Sequence, residues 1–434
     1  MGRREPGVLR RHARRARGAR GARALIARIR RDLFERPASH VAALDGLRAL
    51  AILAVVAFHA SVFSAYTTAR GEAAGAFSPV QRWLFNLWSG VDVFFVLSGF
   101  LIGRILLGNL ARTGRIGWAS FLVRRSLRIF PAYYVVLAAA LLVVAPHAPR
   151  AFAFLFETRD FGALRAAAWP AFLYVANYWT PPGAPSPMSW AWSLCIEEHF
   201  YLVLPPLLWL FVRGRGRAAH AAVLALGLLG PFAARAAVFA ADPGSSVRAV
   251  YFQSHFRFDE LFAGVAVAYA HVHFPDALRR LVARAGLWLP AAGAGAIASV
   301  WAFGSPHAGG AFRLLFQFPL LAFGTAALVA HVLHATSPVS RALAARALAP
   351  IARVSYGMYL VHPYVLFAWM SGPFSAMFRA PRMGPWVAAL AAACALASWA
   401  LAAAMFVALE RPLLDLGARL AARVDRRRLA ASPT

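Results

Sequence analysis

Three ionisable side chains interrupt one apolar run. The stretch LDGLRALAILAVVAFHA, residues 44–60, holds Asp45, Arg48 and His59. Arg48 and His59 are eleven residues apart, about three helical turns, so they share one face roughly 16 Å apart along the axis. A guanidinium inside a membrane segment costs at least a few kcal/mol unless it faces protein, water or a partner. Both side chains are therefore expected to face an interior, with Asp45, one turn earlier, holding Arg48. The residues allow two readings: an Asp–Arg clasp plus a core histidine, or an anion site below and a proton-transfer imidazole above that open on a single cavity.

Other stretches supply matching chemistry. In FLVRRSLRIFPAYY, Arg125 and Arg128 lie three apart on one helical face; such guanidiniums are either topology signals or bidentate binders of phosphate. WAWSLCIEEHFYLVLP carries Glu197, Glu198 and His199. Adjacent carboxylates diverge on a helix, so at most one is expected to face the cavity; a glutamate there can orient an imidazole through its N–H or take its proton. GVDVFFVLSGFLIG carries Asp92 and Ser98, with Gly99 and Gly103 spaced for close helix approach. In YFQSHFRFDELFAG, Asp259 is the economical partner for Arg257, and VSYGMYLVHPYV adds Tyr356, Tyr359 and His362, the last read as a kink or core histidine. LERPLLDLG places Glu410 and Arg411 near the end of the last apolar run.

The elements that must position these groups are membrane helices. The chain has 434 residues, 60% of them hydrophobic, and a mean hydropathy of +0.58, far too apolar for a soluble protein of this length. Apolar runs predict helices near residues 42–63, 83–107, 130–146, 190–212, 218–241, 257–274, 285–303, 312–335, 352–371 and 385–409. The fold class is thus an all-α polytopic membrane protein, a bundle of about ten transmembrane helices. The run AWPAFLYVANYW, 168–179, is too short to cross and reads as an interfacial segment; the proline-rich WTPPGAPSPMSW after it reads as a shaped rim. Arginines decide orientation: Arg112, Arg115 and Arg124, then Arg213, Arg215 and Arg217, then Arg279, Arg280 and Arg284, crowd alternate loops, whereas Arg70, Arg82, Arg150 and Arg159 are sparser on the other face. Both termini are then cytoplasmic.

Three regions follow: a basic, disordered arm at 1–40, a ten-helix membrane domain at 41–413 and a basic cytoplasmic tail at 414–434. The net charge of +29 would suggest nucleic acid in a soluble protein; here topology accounts for it, and P-loop, zinc-finger and aromatic RNA-binding signatures are missing. Cys195 and Cys394 both lie in apolar runs, which argues against a disulfide framework. No internal repeat of the kind that builds inverted-repeat transporters is evident.

Taken in order, LDGLRALAILAVVAFHA, GVDVFFVLSGFLIG, RRSLRIFPAYY, WSLCIEEHFYLVLP, RFDELFAG, SYGMYLVHPYV and LERP resemble the membrane-bound acyltransferase family called type 3, over residues of about 42 to 413. The resemblance implies an enzyme of the bacterial inner membrane that passes an acyl group, acetyl first among them, from cytoplasmic acyl-CoA to a hydroxyl of an envelope polysaccharide or lipid-linked sugar, without a metal. It places donor binding on Arg48, Arg125 and Arg128, and catalysis on His59 as base or transient acyl carrier with Glu197 orienting it. Asp45, Asp92, Ser98, Arg257, Asp259, Tyr359 and His362 are supporting residues. The chain departs from the family at His199, where Gln is common, and at VHPY, where a Trp-rich run is usual; both departures bear on the acceptor, for which a small metabolite such as a macrolide is the alternative. A reading from another class is a proton-coupled transporter using His59, Glu197 and Asp92 as a relay, for which the paired arginines have no purpose.

Overall fold

The computed structural model describes residues 27, 29–35, 41–68, 83–147, 156, 158, 160–181, 183–212, 216–304, 309–371 and 384–430. Among them the chain is helical, with one isolated bridge between Ser246 and Gly309. This is what long apolar runs enforce: in hydrocarbon the backbone must satisfy its own hydrogen bonds, and a helix does so within one segment.

The helices that matter for the site are α1 (Ala42–Thr68), α2 (Gly90–Thr113), α3 (Trp118–Ala139), α4 (Trp192–Leu207), α5 (Arg217–Ala241), α6 (Phe258–His273), α7 (Pro275–Ala285), α8 (Trp288–Phe303), α9 (Gln317–His334), α10 (Ser355–Ser371), α11 (Gly384–Met405) and α12 (Arg411–Ala430). Each of the ten expected segments contains a helix. By length and composition six can cross a membrane, Ala42–Val62, Trp83–Thr113, Trp118–His147, Arg217–Ala241, Phe312–His334 and Val387–Arg426. A seventh forms if α6 and α7, bent by 112° at Pro275, count as one. The α4, α8 and α10 helices are shorter, at 16, 16 and 17 residues. The segment expected at the interface is broken into short turns, Trp169–Phe172 and Ala176–Trp179, as its proline and asparagine suggest.

The tightest seam joins α2 to α6. A Cβ on Gly99 would fall on the Leu261 carbonyl oxygen, and one on Gly264 would fall on that of Val96. Bare glycine backbone is what lets the two helices touch. The main core gathers side chains from α1, α2, α3, α4, α6, α10 and α11, while a second cluster around Trp88, Val250, Val300 and Phe318 fills the space against α8 and α9.

Part of the basic arm departs from the expectation of disorder. Within the arm, residues 29–34 are helical, Leu33 is buried, and Asp32 pairs with Arg411 at 3.7 Å. The order reaches back because an apolar Leu33 and an acid find partners on α12. The rest of the arm lies outside the described residues, as do Arg70, Arg82, Arg150, Arg159, Arg213 and Arg215 of the orientation argument. The tail begins as α12, which packs along α3 through Gly417 and Leu127.

Candidate functional site

Five helices, α1, α2, α3, α4 and α10, enclose a cavity of about 110 Å³. Arg48, Arg125 and Arg128 line it together with Ser98, Ser193, Glu197, Glu198, Tyr201, Tyr356 and Tyr359. Arg48 of α1 and the Arg125–Arg128 pair of α3 therefore converge on one space with Glu197 of α4. None of the three guanidiniums makes a hydrogen bond or ion pair to another described residue. Arg125 instead lies over the rings of Phe121 and Tyr201, at 5.7 and 5.3 Å, and Glu410, buried at the π-helical turn that ends α11, acts on Arg128 electrostatically. Three crowded cations that form no ion pair with a described residue make a site suited to a multiply charged anion.

The carboxylates differ from each other. Tyr201, one turn along α4, donates its hydroxyl to Glu197 Oε2 at 2.6 Å and meets Ser98 Oγ at 2.8 Å. Glu197 is thus fixed in a hydrogen-bonded chain that crosses from α4 to α2. Glu198 also lines the cavity, against the expectation that at most one of the pair would. Neighbouring residues on a helix are about 100° apart, and the cavity wraps α4 through more than that arc. Glu198 Oε1 is buried and has no hydrogen-bond partner among the described residues.

His59 is placed differently from what its spacing suggested. It does not line the cavity with Arg48, and it meets His362 rather than Glu197. His59 Nδ1 lies 2.9 Å from the Val55 carbonyl oxygen, which can only accept, so this nitrogen carries the proton and Nε2 is the basic atom of the neutral ring. His362 Nδ1 likewise faces the carbonyls of Met358 and Tyr359 at 3.1 and 2.9 Å. Its Nε2 therefore accepts from His59 Nδ1 at 3.2 Å. Tyr359, whose hydroxyl joins Ser193 and the Trp190 carbonyl at 2.6 Å each, connects this imidazole pair to the cavity wall. The shared face of α1 is real, but α10 lies against its upper half and separates the two ends.

Asp45 is buried at the start of α1 and does not line the cavity, while Asp92, Arg257 and Asp259 belong to a second, closed cluster. Arg257 pairs with Asp92 at 2.7 Å and with Glu260 at 3.1 Å, not with Asp259. Asp259 is taken by Arg235 of α5 at 2.6 Å. Residues 257 and 259 lie on divergent sides of the start of α6, whereas Glu260, one turn from Arg257, shares its side. Four aromatic rings, those of Phe95, Trp192, Tyr251 and Phe318, surround the Arg257 guanidinium at 4.3 to 5.6 Å. Sequence reasoning passed over Tyr201, Arg235 and Glu260. The i,i+4 spacing of Tyr201 from Glu197, and an arginine inside the apolar run of α5, were the available signals.

An acyltransferase-domain family model matches residues 41–405, which covers this cavity and its helices, and the chain belongs to that acyltransferase family. It is an integral membrane protein, carrying six or seven helices able to cross a bilayer among the described residues. Among relatives, the peptidoglycan O-acetyltransferase OatA of Listeria monocytogenes is 32% identical over 241 residues, covering 53% of this chain and 34% of its own. The putative peptidoglycan O-acetyltransferase YrhL of Bacillus subtilis is 30% identical over 240 residues, 53% of this chain and 33% of its own. The O-acetyltransferase OatA of Staphylococcus aureus is 26% identical over 345 residues, 75% of this chain and 50% of its own. The chain thus spans a third to a half of the length of these relatives. No solved structure matches it.

Proposed function

We propose that the protein is a membrane O-acetyltransferase that moves an acetyl group from acetyl-CoA to a hydroxyl of an envelope glycan such as peptidoglycan, with ten spans and both ends in the cytoplasm. The observation that carries this reading is the trio Arg48, Arg125 and Arg128, which share one cavity and form no ion pair with another described residue. Phosphates supply what the trio lacks, and planar guanidiniums bind them bidentately. A cavity of about 110 Å³ suits the acyl end of such a donor rather than a whole coenzyme, whose bulk stays at the arginine end. The names of the relatives favour a peptidoglycan acceptor.

In the reaction the acceptor oxygen attacks the thioester carbonyl carbon, the C–S bond breaks, and the hydroxyl proton passes through His59 Nε2 to the departing thiolate. His362 holds His59 in the tautomer this needs. The acyl end must pass the Tyr359 side chain to reach His59, so Tyr359 is a gate in this scheme.

Purified protein incubated with radiolabelled acetyl-CoA and muropeptides tests it. Labelled ester and free CoA are expected in equal amounts, and His59→Gln is expected to lower turnover by about 100-fold or more while donor binding persists. Release of no CoA by the wild type, or full activity of His59→Gln, overturns the reading. Transfer from a different acetyl donor, with CoA inert, removes the donor assignment alone.

A further inference from the structure

Between the apolar helices α6 and α8 the chain turns aside. The α7 axis departs from that of α6 by 112°. Pro275 opens α7, and its missing N–H stops the α6 ladder there while suiting the first turn of a new helix. At the other end Gly286, with φ of 54°, turns the chain toward α8 in a conformation that favours glycine. An 11-residue helix is about 16 Å long, too short for a hydrocarbon core of about 30 Å. Bent this far from its neighbour and joining two apolar helices, α7 lies along the membrane surface.

Its residues sort by face to match. Leu278, Leu281, Val282 and Ala285 recur at helical spacing, and Asp276, Arg279, Arg280 and Arg284 take the opposite side. Val282 is buried, and α7 packs on α9. Leu281 remains 59% exposed, and Phe274 before the helix and Leu287 and Trp288 after it are exposed too, Trp288 at 81%. Cations border this apolar strip. Arg280 and Arg284 are exposed, and Arg217, exposed at the start of α5, sets its guanidinium 5.7 Å from the Phe274 ring centroid. Asp276 answers Arg279 at 2.7 Å, whereas Arg217, Arg280 and Arg284 form no ion pair with another described residue. A topology signal accounts for arginines in this loop, but not for their setting beside exposed leucine and tryptophan on a helix laid sideways.

We infer that α7 and the start of α5 form a docking surface for an anionic phospholipid of the adjoining leaflet. Its headgroup phosphate meets the unanswered arginines, and its acyl chains lie against Phe274, Leu281, Leu287 and Trp288. A zwitterionic lipid carries its own ammonium beside the phosphate, so it leaves the excess positive charge in place; a lipid with net negative charge removes it. A free phosphate answers the arginines but leaves the apolar strip uncovered. Charge and hydrocarbon side by side are what a lipid alone supplies in one molecule. None of these residues lines the cavity of Arg48, Arg125 and Arg128, so the surface stands apart from the acetyltransferase reading and does not depend on it.

The full chain in phosphatidylcholine nanodiscs, doped with a phosphatidylglycerol that carries a photoreactive group on its acyl chain, tests the surface. Crosslinks mapped by peptide mass spectrometry are expected to concentrate on residues 274–288, and unlabelled phosphatidylglycerol should compete them away where extra phosphatidylcholine does not. Arg217→Gln, Arg280→Gln and Arg284→Gln should each weaken that competition about 5-fold. The combination of Arg341→Gln, Arg346→Gln and Arg419→Gln, which removes three exposed cations elsewhere, should leave it unchanged. Water-soluble glycerol phosphate should not compete. Crosslinks spread evenly over the apolar helices, or an equal loss in both sets of variants, overturns the proposal and reduces these arginines to general surface charge. Full competition by glycerol phosphate overturns the lipid as occupant.

Discussion

Two regions of this bundle use the same residue types to opposite ends. Around Arg257, cations and acids pair directly, with Asp92, Glu260, Asp259 and Arg235 at 2.6 to 3.1 Å and all of them buried. Around Arg48, Arg125 and Arg128 there is a cavity, and none of the three forms an ion pair with another described residue. The first arrangement spends its electrostatics on locking α2, α5 and α6 together. The second keeps its charge unspent, which helps folding little and is useful to an anion that arrives from outside. A buried guanidinium is thus informative mainly through what answers it.

The contrast breaks most visibly in the closed cluster. Arg257→Ala leaves Asp92 and Glu260 buried without their cation, a change that typically costs about 3–5 kcal/mol. The expected outcome is loss of folded protein, read as aggregation in detergent or a melting temperature too low to measure. Asp92→Asn keeps the shape and one hydrogen bond and should destabilise by less. If Arg257→Ala melts with the wild type, the cluster does not lock the helices and the comparison loses one of its sides.

In the open site the order of effects reverses. Removing Arg125 or Arg128 deletes a cation that has no ion-pair partner among the described residues, so stability should hold or rise slightly as like-charge repulsion falls. Binding of acetyl-CoA, measured by calorimetry, should drop by about 10- to 100-fold for each, the range of a charge-assisted hydrogen bond. A lysine at either position should recover only part of that loss, because an ammonium keeps the charge but cannot reproduce the bidentate fork. A variant that loses stability and keeps donor affinity would assign these arginines to the fold.

The sequence made one of these regions more legible than the other. Helix positions followed from apolar run lengths, and the shared faces of Arg48 with His59 and of Arg125 with Arg128 followed from the 3.6-residue period; the grouping of the three arginines came from the resemblance, and the placing of Glu197 beside them rather than beside His59 was not foreseen. Partner choice could not be read at all. Arg257 and Asp92 are 165 residues apart, and nothing local distinguishes that pairing from the nearer Asp259. The period of α1 put His59 on the right face, but it carries no information about α10, whose His362 and Tyr359 close off that end. The second carboxylate was misjudged because a helical wheel assigns directions, not the width of the space they open on.

The smallest expected effect calibrates the others. Arg279 and Asp276 form an ion pair at 2.7 Å on α7, as short as the Arg257–Asp92 bond. Their side chains are 61% and 71% exposed, against 0% for both members of the buried pair. At equal distance the two pairs differ only in their surroundings. Water and ions screen the first, and holding two long side chains in register cancels most of the remaining attraction, leaving about 0–1 kcal/mol. Asp276→Asn should therefore leave the melting temperature and donor affinity within error, at low salt and at high. A clear loss of stability there would mean that distance, and not burial, sets the strength of ion pairs in this bundle, and the ranking of Arg257 above the cavity arginines as a structural element would have to be withdrawn.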